Sequence, residues 1–226
     1  MKGYYHDKLH GNMLKRCYDI APPRILQYLR AEIQYVIGKV PSDSGVLELG
    51  CGYGRVLIHV AQKARSAYGV DIARSNIELA REVTAAYSNC QLLTMDALKL
   101  GFRDGAFDAV VCIQNGISAF HVDQRALIRE SIRVTRNRGL VVYSSYSDKI
   151  WQDRLHWFSL QADAGLIGAI DMQKTNRGLI ICKDGFEATT VSEEQFHELV
   201  RGLPVDITLE EVDGSSLFCT LTVKKT

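Results

Sequence analysis

No basic run, no C-x-x-C pair, no internal repeat and no bilayer-length apolar stretch occurs in this chain of 226 residues. Each absence excludes a class. The 27 Lys and Arg against 26 Asp and Glu leave a formal net charge of +1, with both signs mixed along the chain. A nucleic-acid surface needs clustered cations, so none is expected. A membrane-spanning helix needs about 20 apolar residues, so no membrane partner is expected either. Met1 to His10 are polar and aromatic, unlike a signal peptide. The six cysteines, at 17, 51, 90, 112, 182 and 219, mostly lie in apolar segments. They read as reduced core residues of a cytoplasmic protein, and no metal site is expected. The length suits one large α/β domain.

The most informative stretch that is present runs Val46-Leu47-Glu48-Leu49-Gly50-Cys51-Gly52-Tyr53-Gly54-Arg55. An apolar run ends in three alternating glycines and leads into a helical pattern. That is a buried strand turning sharply onto a helix N-terminus, where backbone N–H groups face whatever occupies the turn. Nicotinamide sites use G-x-G-x-x-G instead. Glu48 is a carboxylate inside the strand. Left buried and unpaired it would be costly, so it is expected to accept hydrogen bonds from the turn or from a bound ammonium group.

Three further apolar runs end in polar tips. Ser66 to Ile72 carries Asp71, placed to take two ribose hydroxyls as donors. Ser75 is expected to cap the helix that follows, Ser75 to Tyr87. Gln91 to Met95 ends in Asp96-Ala97, and Phe107 to Ile113 ends in Gln114-Asn115-Gly116-Ile117-Ser118. A helix over Leu127 to Thr135, the turn Asn137-Arg138-Gly139 and a fifth strand, Leu140 to Tyr146, complete this region.

Together these segments resemble class I S-adenosylmethionine-dependent methyltransferases: an acid before G-x-G-x-G, strand-end acids at Asp71 and Asp96, and F-D-x-V at Phe107. The resemblance implies S-adenosylmethionine as cofactor and S-adenosylhomocysteine as product. It implies cofactor contacts from Glu48, Gly50, Cys51, Gly52, Gly54 and Arg55, then from Asp71 and Ile72. Asp96 and Ala97 would face the adenine, and Ile113, Gln114 and Asn115 would lie between adenine and substrate. It also implies a Rossmann-like, doubly wound, mostly parallel seven-stranded sheet with an antiparallel C-terminal hairpin. The fourth-strand segment is not the N-P-P-Y type associated with planar amines of nucleic acid and protein amides.

The expected layout is a single domain over 1–226. Residues 1–40 form an N-terminal helical arm, 41–147 the cofactor-binding core, 148–192 an inserted cap, and 193–226 a helix and hairpin. Pro22-Pro23 precedes a helical pattern over Arg24 to Ile37. Tyr4, Tyr5 and Tyr18 of the arm are either surface anchors or part of a lid whose ring faces suit a sulfonium cation. The insertion holds both tryptophans, Trp151 and Trp157, with His156 and Phe158. Lys183-Asp184-Gly185 signals a hairpin within it, and Asp213-Gly214 another between Val205–Val212 and Ser216–Val223. Ser192 and Gln195 form a capping-box pattern.

Methyl transfer needs alignment and dryness first, and a proton acceptor only for some nucleophiles. His121, Tyr146 and His156 are the catalytic candidates, His121 the best placed. The expected reaction is methylation of a small-molecule acceptor. Methylation of protein or RNA, or non-catalytic nucleotide binding, are the alternatives. The sequence leaves the acceptor open, and the oligomeric state too, a dimer included.

Overall fold

A computed structural model describes Tyr4 and residues 8–225; Tyr5 lies outside the described residues. Seven strands form one sheet: β1 (Gly45–Leu49), β2 (Ser66–Asp71), β3 (Cys90–Thr94), β4 (Phe107–Cys112), β5 (Thr135–Tyr146), β8 (Val205–Val212) and β9 (Ser216–Val223). Their order is β3-β2-β1-β4-β5-β9-β8. The first five are parallel neighbours, and β9 runs antiparallel between β5 and β8. This is the expected Rossmann-like methyltransferase sheet. The order reverses between β1 and β4, and the carboxyl ends beside such a switch point leave a crevice.

Both faces of the central strands are covered, which is why β1 is buried along its whole length. On one face Leu47, Leu49, Val110, Val141 and Tyr143 pack under α6 (Gln124–Val134) and α8 (Glu193–Val200). On the other, Val46, Ala109 and Val142 meet α2 (Pro23–Lys39) and α3 (Leu57–Lys63). The start of α2 follows from Pro23 at the first helical position, where the missing N–H has no partner to lose. Ser192 and Gln195 close the expected capping box on α8.

Two local expectations are corrected and a third is narrowed. Helix α6 ends at Val134, and Asn137-Arg138-Gly139 is not a free turn. It lies inside β5, where Arg138 takes φ +60° and the register with β4 slips between Phe107 and Ala109. An irregular strand gives the same Asn/Gly signal as a loop. Ser75 does not cap α4 (Arg74–Val83): the N-cap position is Ala73, and the Ser75 hydroxyl meets His10 Nδ1 at 2.7 Å. The 178–190 hairpin is real but short, with β6 (Ile180–Ile181) antiparallel to β7 (Glu187–Ala188).

Residues 148–192 do not sit alone. The helix α7 (Trp151–Asp163), the short hairpin, α1 (Asn12–Asp19) and the first turns of α2 share one apolar core. Cys17, Ile25 and Tyr28 pack there with Trp157, Phe158, Ile180 and Phe186. Trp157 Nε1 donates to the Cys17 carbonyl at 2.8 Å. Tyr4 closes the edge by donating to Asp184 at 2.5 Å, with its ring on Phe186. The N-terminal helices and the insertion are one packed unit over the carboxyl ends of the strands. Among the described residues no helix is long and apolar enough to cross a membrane.

Candidate functional site

A cavity of about 270 Å³ lies between that unit and the strand ends. Every sequence-derived cofactor candidate except Gly54 lines it: Glu48, Gly50, Cys51, Gly52, Arg55, Asp71, Ile72, Asp96, Ala97, Ile113, Gln114 and Asn115. Gly54 has a different job. At φ +87° it lets the turn approach α4, with Ala80 and Thr84 at 3.4 Å from where a Cβ would stand.

The glycine turn is tied from two sides. Cys51 N–H donates to the Val70 carbonyl at 3.0 Å. Gly52 N–H donates to Asp71 Oδ2, also at 3.0 Å. Gly50 sits at φ +67°, and a Cβ there would lie 2.5 Å from the Phe120 ring. That ring packs directly onto the turn.

Glu48 is 4% exposed, and its Oε2 has no hydrogen-bond partner among the described residues. Burial pushes its carboxyl up to about 8; Arg55 pulls it down and Asp71 adds to the rise. A buried carboxyl with an unpartnered oxygen and a raised pKa, on a residue that lines the cavity, suits a cationic or N–H-bearing ligand. Asp71 is also occupied within the protein. Its Oδ1 accepts from Ala73 N–H at 2.8 Å and from Asn76 Nδ2 at 3.1 Å. Asn76 in turn accepts from Gly11 N–H at 2.6 Å, so the arm reaches the tip of β2. Ile72 is 49% exposed. An apolar side chain left open beside strand-end acids suits the face of a base.

At the tip of β4, Gln114 and Asn115 both take left-handed backbone, φ +53° and +59°. Such non-glycine strain persists where surroundings over-determine it. Here they do. Gln114 N–H donates to Ser144 Oγ at 2.7 Å, and Ser144 donates to Glu32 Oε1 at 2.5 Å. Gln114 Oε1 accepts from Tyr18 OH at 2.5 Å and Arg55 Nη2 at 3.0 Å. Asn115 Nδ2 donates to the Thr189 carbonyl at 2.8 Å, and its Oδ1 accepts from Ser145 at 3.0 Å. Glu32 is fully buried, and desolvation raises its pKa against the pull of Ser144. The sequence reading missed Glu32: on a helical pattern of apolar residues it looks like one more solvent-side acid. Phe120, Gln161 and Glu187 also line the cavity and were missed.

Of the catalytic candidates, Tyr146 lines the cavity, and the other two do not. His121 and His156 are exposed. Around His121 the cavity is lined by its neighbours Phe120 and Val122. On α7 the inner face carries Trp157, Phe158 and Gln161, which leaves His156 on the outer one. Tyr146 faces the buried Arg154 guanidinium at 4.3 Å, and burial raises its pKa, with Arg154 lowering it in part. Tyr18 lines the cavity beside Trp157, while Tyr4 and Trp151 do not. Among the described residues no cluster of His, Cys, Asp and Glu could hold a metal ion.

The sheet order and its switch-point cavity are those of the class I S-adenosylmethionine-dependent methyltransferase fold. Comparison with known proteins agrees. Residues 46–139 match the family model described as a methyltransferase domain. Over 140 residues the chain is 25% identical to 2-methyl-6-phytyl-1,4-hydroquinone methyltransferase of Synechocystis, covering 57% of this chain and 42% of that one. Over 109 residues it is 31% identical to norajmaline N-methyltransferase of Rauvolfia serpentina, covering 46% and 36%. The chain thus spans less than half the length of these curated relatives. The whole fold is similar to magnesium protoporphyrin IX methyltransferase of Synechocystis with bound S-adenosylhomocysteine, at TM-score 0.64 and 17% identity over 98% of this chain and 97% of that one. Residues 46–139 thus carry a methyltransferase domain, and the whole chain has the fold of S-adenosylmethionine-dependent methyltransferases, a class whose cofactor is S-adenosylmethionine.

Proposed function

We infer that this chain transfers a methyl group to a small-molecule acceptor by in-line displacement. The observation that carries the reading is the orphaned Glu48 carboxyl beside the glycine turn, at the floor of a cavity roofed by aromatic side chains. The residues present fit the cofactor. Glu48, Gly50, Cys51, Gly52 and Arg55 would hold its amino-acid end. Asp71 would accept from the ribose hydroxyls, Ile72 would cover the adenine face, and Asp96 with Ala97 would meet the adenine edge. Ile113, Gln114 and Asn115 would flank it. When bound, the cofactor supplies a methyl group already activated on a sulfonium sulfur.

The protein's own share is alignment and dryness. The roof built from α1, α7 and the β6–β7 hairpin would act as the lid and cap, with Tyr18, Trp157 and Phe158 excluding water. Tyr146 is the candidate for orienting or deprotonating an acceptor. The roofed cavity favours a small acceptor over protein or RNA, and the mixed charge favours the same. The reduced cysteines fit a cytoplasmic setting. The test is calorimetry with S-adenosylhomocysteine and NAD, followed by a labelled-methyl screen over small acceptor pools. NAD binding in place of S-adenosylhomocysteine would sink the reading.

A further inference from the structure

The roof side of the cavity is built mainly from apolar and aromatic groups, Leu14, Tyr18, Trp157 and Phe158 among them. Two polar side chains stand out there. Gln161 on α7 is 3% exposed and lines the cavity, yet its amide makes no side-chain hydrogen bond among the described residues. Its amide atoms are not sealed from the cavity: they are absent from the fully enclosed, unpartnered polar atoms. Glu187 on β7 is an exposed residue at the cavity's edge, and its carboxylate forms no hydrogen bond or ion pair among the described residues. A buried amide facing an apolar cavity is costly unless a ligand pairs with it.

We propose that Gln161 and Glu187 form the acceptor subsite, and that the acceptor is a planar molecule carrying O–H or N–H donors and no anionic group. The amide both donates and accepts, which suits a hydroxyl or an amine. The carboxylate accepts only, which suits a second donor and repels an anion. The aromatic walls suit a flat body. The Glu187 carboxylate suits a cationic group and the Gln161 amide an uncharged donor.

This rests on the methyl-transfer reading, and the test separates the two. Tyramine, phenethylamine and 3-(4-hydroxyphenyl)propionate are titrated into the whole protein, with and without saturating S-adenosylhomocysteine. Tyramine should bind at least about tenfold more tightly than the propionate, the scale on which sites built for polar groups discriminate. Glu187→Gln should shrink that ratio to about threefold or less. Gln161→Leu should weaken tyramine about tenfold and leave phenethylamine nearly unchanged, with S-adenosylhomocysteine affinity kept. Glu187 is exposed, so its variant tests the proposal even if Gln161→Leu fails to fold. Equal or tighter binding of the propionate, no binding of tyramine, or ratios unmoved in Glu187→Gln would overturn the subsite. Loss of S-adenosylhomocysteine binding by the unmodified protein would overturn the methyl-transfer reading instead; the titrations without it still judge the subsite.

Discussion

The Gly52 N–H donates to the Asp71 carboxylate at 3.0 Å, so the residue expected to hold the ribose also holds the glycine turn. With Ala73 and Asn76 as further donors, Asp71 joins β2, α4 and the turn after β1. Cofactor affinity and folding are therefore joined at this position.

Asp71→Ala should therefore lower stability without ligand by about 1–3 kcal/mol, the scale of lost hydrogen bonds to a charged group. Affinity for S-adenosylhomocysteine should fall at least about tenfold, since Asp71→Ala removes both the acceptor and the strap that shapes the turn. Denaturant melts and calorimetry on the same preparation check both. Unchanged stability would show the strap to be idle; unchanged affinity would remove Asp71 from the ribose role.

Gly50 tests the turn more sharply. Any side chain there meets the Phe120 ring and must hold φ +67°. Gly50→Ala should cost about 1–3 kcal/mol and abolish cofactor binding. Gly50→Ala with Phe120→Ala should recover part of the stability, because the clash goes and the strained φ stays. Full recovery would mean that the backbone conformation carries no strain. Gly50→Val would meet Phe120 in the same way and should not leave the fold intact.

Glu48 predicts a pH dependence. Its folded pKa is about 8 against an ordinary 4.5, so the folded state keeps a proton that the unfolded state loses between those values. Stability without ligand should then fall as pH rises from about 4.5 to 8, and level off above. A bound cation favours the charged carboxylate. Binding of S-adenosylmethionine should release a proton in this window, and affinity should rise with pH toward 8. Glu48→Gln should abolish the proton release and weaken binding. Calorimetry in buffers of differing ionisation enthalpy reads the release directly; equal apparent enthalpies near pH 7 would count against the assignment.

What the sequence made legible follows from range. Strand ends, the Asp213-Gly214 hairpin and the Ser192 cap depend on neighbours within a few residues, and these stand in the structure as expected. The class fold followed from glycines and acids at fixed offsets. Glu32 was invisible because its partner Ser144 lies 112 positions away. The left-handed Gln114 and Asn115 were equally hidden, since nothing local demands that backbone. His121 and His156 were chosen for residue type near the right segment, but segment proximity does not say which face a side chain takes.

The roof gives the last prediction. An inserted cap, as 148–192 is expected to be from sequence, would be removable without harm to cofactor binding. The structure makes residues 150–175 part of one core with the N-terminal helices and the β6–β7 hairpin. Deleting them would uncover Cys17, Ile25 and Tyr28, and the arm that reaches Asn76 through Gly11 would lose its seat. A point variant separates packing from presence. Trp157 is 2% exposed and fixed to the Cys17 carbonyl. Trp157→Ala should cost about 3–5 kcal/mol, the range for emptying a buried aromatic site. Trp157→Phe should cost about 1 kcal/mol for the lost hydrogen bond plus some packing. Limited proteolysis of Trp157→Ala should cut first near residues 10–20, well away from the substitution in sequence. A variant that melts normally and keeps its N-terminal helices protected would show that arm and insertion stand independently.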